Sequence, residues 1–204
     1  MTYAIQDLVI RDIEPVEPSE ITDVLTAAMW DGPVARWLVP ERHVRREYSP
    51  AYFDIFAEHA VQFGEVYANI DPITGKVSGV ALWFPLTRPI PPPLDYDRRL
   101  KDAAASAFDR ARELDAALEA HHPVEPHHYL AFLAVHPDRQ NQGIGSALLA
   151  RHHARLDIAG IPAYLEANHP RNRDLYLRHG YVSQAPIRLP DGPPIWPMWR
   201  TPLP

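Results

Sequence analysis

Tyr129-Leu130-Ala131-Phe132-Leu133-Ala134-Val135, then Arg139-Gln140-Asn141-Gln142-Gly143-Ile144-Gly145-Ser146-Ala147, is the stretch that sets the reading of the whole chain. The first part is an apolar, strand-like run, and the second is a glycine-bearing turn that leads into an amphipathic helix. A strand that passes into a helix this way aims several unpaired backbone N–H groups, and a positive end worth about half a charge, at one spot. That is an anion cradle suited to a pyrophosphate. Gly143 and Gly145 carry no Cβ, which lets phosphates approach the main chain. The spacing is neither the dinucleotide fingerprint G-x-G-x-x-G nor a G-K-[ST] phosphate loop. The remaining alternative is a glycine-rich connection that binds nothing.

Working outward, composition narrows the function classes. With 204 residues the chain has the length for one sizeable domain, or one domain with an insertion, and 46% hydrophobic and 23% charged residues are ordinary for a globular protein. No apolar run approaches the ~20 residues of a membrane span, and Met1 to Asp7 lacks the basic and hydrophobic pattern of a signal peptide. The expectation is a cytoplasmic protein without a membrane partner. There is no cysteine, which removes thiolate nucleophiles, thiolate metal sites and disulfides. A net charge of -6 without a basic stripe argues against nucleic acid and favours a cationic amine as visitor. The histidine pairs His121-His122, His127-His128 and His152-His153 lack the i, i+4 spacing of helical metal ligands. They read as solvated positions, except that His152 suits a satisfied core histidine, and no metal is expected.

Strands are expected at Leu8–Arg11, ended by Glu14-Pro15, and at Glu65–Ala68, Val77–Phe84, Tyr129–Val135, Ala163–Ala167, Tyr181-Val182 and Ile195–Arg200. Asp71 to Gly75 and Asp191-Gly192 read as hairpin turns. Helices are expected over Pro18–Trp30 with Ser19 as N-cap, over about Arg42–Phe63 with a break or kink at Pro50, and over Tyr96–Ala120 as one long element. Another runs from Gly145 to about Ala159, with Ile144, Leu148, Leu149, Leu156 and Ala159 on one stripe and Gly160 as cap, and a short one starts at Pro170 and stops at Gly180. The fold class is α+β, an α/β sandwich with a mixed, mostly antiparallel sheet of about seven strands flanked by helices. Residues 1–204 form a single domain, in which 85–126 is a proline-rich connector plus helix inserted before the central strand. That insertion is either a lid or acceptor-pocket wall, or packing alone.

Gln140-x-x-Gly143-x-Gly145 after Val135-His136-Pro137-Asp138-Arg139 resembles the pyrophosphate-binding motif of the GNAT N-acetyltransferases. A second pattern, Asn172-x-x-x-Tyr176-x-x-x-Gly180-Tyr181, resembles the family's later motif and lies in the right order. Similarity to an antibiotic-modifying branch of the family runs from Glu125-Pro126 through Tyr164-Leu165-Glu166 and Pro170-Arg171-Asn172 to Asp191-Gly192-Pro193. It continues more weakly upstream through Asp31, Pro33, Arg36 and Arg42-His43. Gly32 departs from it, standing where that branch has a tyrosine near the acceptor.

The resemblance implies acetyl-CoA as cosubstrate, held by Leu133, Ala134, Val135, Gln140, Asn141, Gln142, Gly143, Ile144, Gly145, Ser146, Asn172 and Tyr176. It implies direct transfer to a primary amine of a small molecule, an aminonucleoside or amino-bearing antibiotic among them, in a ternary complex. An aliphatic ammonium must lose a proton before it attacks a thioester. Glu166 is the candidate base, directly or through a water, the alternative being a strand-end carboxylate paired with an arginine. Tyr176 is the candidate acid for the departing thiolate, the alternative being a core tyrosine with a satisfied hydroxyl. A main-chain N–H near Val135 would meet the oxyanion. Trp30, Tyr48, Tyr52 and Trp83 are acceptor-pocket or core aromatics. Competing functions are an acyl-CoA sensor without turnover and a protein or peptide amino-group acetyltransferase. Either a monomer or a homodimer is compatible with the sequence.

Overall fold

In the computed structural model, residues 17–204 are described in full and residues 9–12 as backbone. Leu8, Glu14-Pro15 and the stretch Met1 to Asp7 lie outside the described residues. The elements, in order, are β1 (Val9–Asp12), α1 (Pro18–Met29), α2 (Pro33–Leu38), α3 (Arg42–Phe63), β2 (Glu65–Ile70), β3 (Val77–Leu86), α4 (Tyr96–Ala103) and α5 (Phe108–Glu119). They continue with β4 (His127–Val135), α6 (Ile144–Ala159), β5 (Ala163–Ala167), α7 (Pro170–Arg178), β6 (Val182–Ser183), β7 (Ile187–Arg188) and β8 (Pro194–Arg200). The sheet runs β1-β2-β3-β4-β5-β8-β6, with the short β7 added on β8. Every ladder is antiparallel except β4 with β5. This is the expected mixed sheet flanked by helices.

Side chains alternate across it, as the two-residue period of a strand requires. Tyr67, Ala81, Trp83, Leu130 and Leu165 face α6 and α7, while Ala68, Val80, Leu82 and Phe84 face α1 and α3. On α6 the buried stripe is Ile144, Leu148, Leu149, His152, His153 and Leu156. Ala159 lies outside it, exposed. Gly160 caps the helix at φ 66°.

Three helices differ from the sequence reading. Pro18, not Ser19, opens α1: it sits at the first helical position after Glu17, where a fixed φ suits the helix and no N–H is needed. α3 runs its full 22 residues through Pro50. An interior proline costs about 3 kcal/mol. Burial of Tyr48, Phe53 and Ile55 on either side, at roughly 1.5–3 kcal/mol per large apolar side chain, outweighs that cost.

The expected long helix is two helices, separated at Ala104, whose backbone is extended (φ -166°, ψ 103°). The Tyr96 hydroxyl donates to Asp115 Oδ1 at 3.1 Å, whereas nineteen residues of straight helix would hold them about 28 Å apart. Leu100, Ala111 and Leu114 lie at helical spacing and all enter one core with Trp37 and Ile55. The corner comes from packing, and a run of alanines carries no sign of it.

Candidate active site

β4 hands over to the glycine turn under tight restraint. His136 N–H donates to Ser78 O at 2.8 Å, and Gln140 Nε2 donates back to Val135 O at 3.1 Å. Arg139 forms an ion pair with Asp71, the buried carboxylate of the β2–β3 turn, which also accepts from Ile73 N–H and Thr74 N–H. Asn141 (φ 64°) and Gly143 (φ 85°) then adopt left-handed backbone. Gln140 N–H is paired with Pro137 O at 3.3 Å, and the first bond of α6 is Ala147 N–H to Gly143 O. Among the described residues, the N–H groups of Asn141, Gln142, Gly143, Ile144, Gly145 and Ser146 have no acceptor. Six consecutive donors thus stand at the positive end of a 16-residue helix.

The two glycines serve different ends. A Cβ on Gly143 would meet nothing within 4 Å, so its need is conformational. At Gly145 an added Cβ would lie 3.7–3.8 Å from Leu175, Leu133 and Val135. The missing side chain there faces an apolar seam between β4 and α7.

That seam opens because β4 and β5 part company. Their ladder consists of His128↔Ala163 and Tyr129↔Tyr164 and then ends. β4 is also bulged: Leu82 opposes Phe132 while Trp83 opposes Leu130, leaving Ala131 unmatched. From Leu130 to Val135, β4 is laddered to β3 alone, and the edge that faces β5 has no strand partner. Leu133 and Val135 line the opening, while Ala134 is buried toward the core of α1 and α3.

α7 closes over the turn. Arg171 bonds to Asn141 Oδ1, and His179 Nε2 lies 3.1 Å from Ser146 Oγ. Asn172 holds the first turn of α7, with its N–H on His169 O. Tyr176 is buried among Leu148, Leu165 and Ala167, and burial pushes its phenol well up, so it is protonated at neutral pH. Its hydroxyl has no partner among the described residues yet is not sealed from solvent, unlike that of a satisfied core tyrosine.

Glu166 lies beyond the last β4–β5 pair and alternates on β5 with Leu165 and Ala167, which share the core under α6 and α7 with Tyr176. The Glu166 side chain is only 5% exposed, and Oε1 is buried without a hydrogen bond. Among the described residues no arginine pairs with it. Instead His122 Nδ1 stands 3.7 Å from Oε1, and the Tyr129 and Tyr164 rings lie 4.9 and 5.0 Å from the His122 ring. Burial, and then the charge of Glu166, drive both phenols far up and keep them protonated. His122, Tyr129, Tyr164 and Arg171 went unnoticed as site residues, because their contacts join segments distant in sequence.

The histidines need a correction. His127, His128 and His153 are buried rather than solvated, while His152 is the satisfied core histidine that was expected. Glu65, His128 and His152 bring ligand-type atoms within 4.8 Å of one another, a grouping drawn from three elements that i, i+4 spacing cannot reveal. These groups already have partners: His128 Nδ1 meets His152 Nε2 at 3.0 Å, and Arg155 holds Glu65 at 2.5 Å. Of the aromatic candidates, Trp83 is core, stacked on His152 at 4.1 Å, and Trp30 lies under Arg42 and Arg45. Tyr48 is buried and stacks on Tyr52, which meets Phe56, which meets Phe132 of β4. An aromatic wall therefore reaches the opening from the α3 side.

Comparisons with known proteins agree with this geometry. The pattern of the acetyltransferase (GNAT) domain matches residues 108–183. A mycothiol acetyltransferase from Arthrobacter sp. (strain FB24) is 41% identical over 56 residues, 28% of this chain and 16% of that protein. The chain thus aligns with under a fifth of that relative's length. The solved structure of histone acetyltransferase HPA2 and related acetyltransferase from Corynebacterium glutamicum ATCC 13032 superposes with a TM-score of 0.71 at 25% identity, covering 96% of this chain and 97% of that one. Arylalkylamine N-acetyltransferase 2 from Aedes aegypti shares the fold, with a TM-score of 0.69 at 12% identity over 96% of this chain and 99% of that one. The six-amide turn and the parted strands thus lie in the stretch of the chain that matches the GNAT acetyltransferase domain pattern, and the chain shares its fold with these solved acetyltransferase structures.

Proposed function

We propose that the chain is an acetyl-CoA-dependent N-acetyltransferase that acts on a primary amine of a small molecule, by direct transfer in a ternary complex. The observation that carries the proposal is the row of six unpaired amides from Asn141 to Ser146 beside the unladdered edge of β4. The amides suit a pyrophosphate, and the open edge suits the amide-bearing arm of coenzyme A, which can pair with it as an added strand would. Acetyl-CoA supplies the acyl group as a thioester. Glu166 takes the proton of the incoming ammonium, a main-chain N–H near Val135 steadies the charged oxygen, and Tyr176 gives its proton to the departing sulfur. Asn172 orders the first turn of α7 beside the cofactor.

The aromatic wall of Tyr52, Phe56 and Phe132 favours an acceptor with a planar or apolar body. An aminonucleoside or another amino-bearing antibiotic fits it, in line with the resemblance of residues 125–193 to puromycin N-acetyltransferase. Gly32, the N-cap of α2, lacks the tyrosine of that enzyme, so the acceptor need not be puromycin itself. The protein would act in the cytoplasm as a monomer or homodimer; no helix of the described residues is long and apolar enough to cross a membrane. The test is calorimetric titration with acetyl-CoA, followed by thiol release with a panel of amines that includes puromycin, 2-phenylethylamine, spermidine and a peptide N-terminus. Binding with release on a small amine is expected. Absence of acetyl-CoA binding overturns the reading, and release with the peptide alone shifts the acceptor class.

A further inference from the structure

α7 runs along the row of free amides, and positions four residues apart on one of its faces meet that row. Arg171 bonds to Asn141 Oδ1, at the first residue of the row. Leu175 stands 3.7 Å from where a Cβ on Gly145 would sit, and His179, the C-cap of α7, brings Nε2 to 3.1 Å from Ser146 Oγ, at the last residue. The row therefore has a direction. Its Gly145 end adjoins Leu133 and Val135, which line the opening at the bare edge of β4. Its Asn141 end is marked by Arg171, one helical turn or about 6 Å along α7 from Leu175. Between those two positions the face that α7 turns to the row changes from apolar to cationic.

Arg171 is exposed, and among the described residues its guanidinium meets a neutral amide oxygen and no carboxylate. The other arginines of the turn and of α7 are engaged: Arg139 with Asp71, Arg173 with Asp174 and the Trp196 ring, and Arg178 with Asp174 O. A guanidinium presents five N–H donors in a rigid fork, and Asn141 Oδ1 occupies only Nη2. The bond to Asn141 holds the fork at the rim of the cradle, with donors to spare for an anion. A phosphate is the anion that such a fork matches best, taking two parallel hydrogen bonds.

Besides the pyrophosphate that the amides suit, coenzyme A carries a phosphate monoester on its ribose, at the end remote from the thiol. A monoester bears about 1.5–2 negative charges at pH 7, more than backbone dipoles alone offset. A cofactor whose thiol-bearing arm follows the bare edge of β4 past Gly145 leaves the row at Asn141, on the side where Arg171 stands. We propose that Arg171 binds the 3′-phosphate of coenzyme A and so makes the protein distinguish the cofactor from its 3′-dephospho form. This rests on the acetyl-CoA reading of the turn. It gives α7 two duties along one face: Leu175 closes the seam beside Gly145, and Arg171 reads the far end of the cofactor.

Calorimetric titration of the full chain with coenzyme A and with 3′-dephospho-coenzyme A tests this. The wild-type protein should bind coenzyme A about tenfold more tightly, the low end for hydrogen bonds to a charged group. That ratio should shrink in about 1 M salt, where the Debye length falls to about 3 Å and an exposed ion pair is screened. Arg171→Gln should bind both forms equally, at the wild-type affinity for the dephospho form, which also shows that the variant is folded. Arg171→Lys should keep part of the preference, as a point charge without the fork. Equal wild-type affinities for the two forms refute the proposal, as does a preference that survives in Arg171→Gln. A variant that weakens both forms alike refutes it too, and assigns the guanidinium to the pyrophosphate or to the fold. A wild-type protein that binds neither form refutes the acetyl-CoA reading itself, and the proposal with it.

Discussion

Replacing Gly143 by alanine isolates the backbone geometry of the anion cradle. Gly143 sits at φ 85°, where an L-residue with a Cβ is about 1–2 kcal/mol less comfortable, and no atom within 4 Å would clash with the added methyl. The whole cost is therefore torsional. For a chain of 150–250 residues each kcal/mol lowers Tm by roughly 2–4 °C, so the expected loss is about 2–8 °C. Gly145→Ala is the control. Its φ is ordinary, its Cβ would make van der Waals contacts at 3.7–3.8 Å, and a helical glycine costs roughly 0.8–1 kcal/mol relative to alanine, so stability should hold or rise. Gly143→Asn, whose side chain tolerates the left-handed region, should fall between the two. Thermal melts with and without acetyl-CoA read both consequences: ligand at 100 times Kd adds about 2.7 kcal/mol to a competent protein. Gly143→Ala should lose much of that increment, because relaxing φ turns the neighbouring amides away from a common point. An unchanged melt together with an unchanged ligand increment would refute the reasoning, as would a larger loss from Gly145→Ala.

Tyr176→Phe removes a hydroxyl that has no partner among the described residues, so it should leave stability and acetyl-CoA affinity unchanged while lowering kcat about a hundredfold; full activity would remove Tyr176 from the mechanism. Glu166→Gln should lower kcat/KM and flatten the acidic limb of its pH profile, and an unaltered limb would place the base elsewhere. His152 and His153 stay neutral in the fold, burial pushing them to about 2 and about 3, but take up protons near 6.5 when the chain unfolds. Stability is therefore full above that pH and declines as pH drops, by about 2 kcal/mol per imidazole at pH 5. Urea midpoints equal at pH 7.5 and 5.0 would contradict this.

What the sequence made legible follows physical range. The β4 to α6 junction could be read because its signals are local: an apolar run, a glycine that needs positive φ, and a stripe at helical spacing. The turn at Asp71 to Gly75 and the cap at Gly160 were legible for the same reason. What escaped depends on contacts between distant segments. The corner at Ala104 exists because α4 and α5 share a core with α2 and α3, and alanine itself favours a continuous helix. α2 follows Gly32-Pro33, which marks the end of one helix as readily as the start of the next. Glu166 and Tyr176 were singled out through the family resemblance, but the company Glu166 keeps was not legible. His122 comes from a connector, Tyr129 from β4 and Tyr164 from β5, and no spacing rule links them.

The early end of the β4–β5 ladder has a consequence for solubility. A strand edge rich in free donors and acceptors ordinarily sits at the rim of a sheet, where it can template unwanted pairing between copies. Here the bare edge lies in the interior of the sheet, flanked by β5 and by α7. A slender, flexible chain can thread alongside it, whereas the strand of another folded protein would have to bring its neighbours too. The fold keeps a sticky surface available to a thin visitor and withholds it from aggregation.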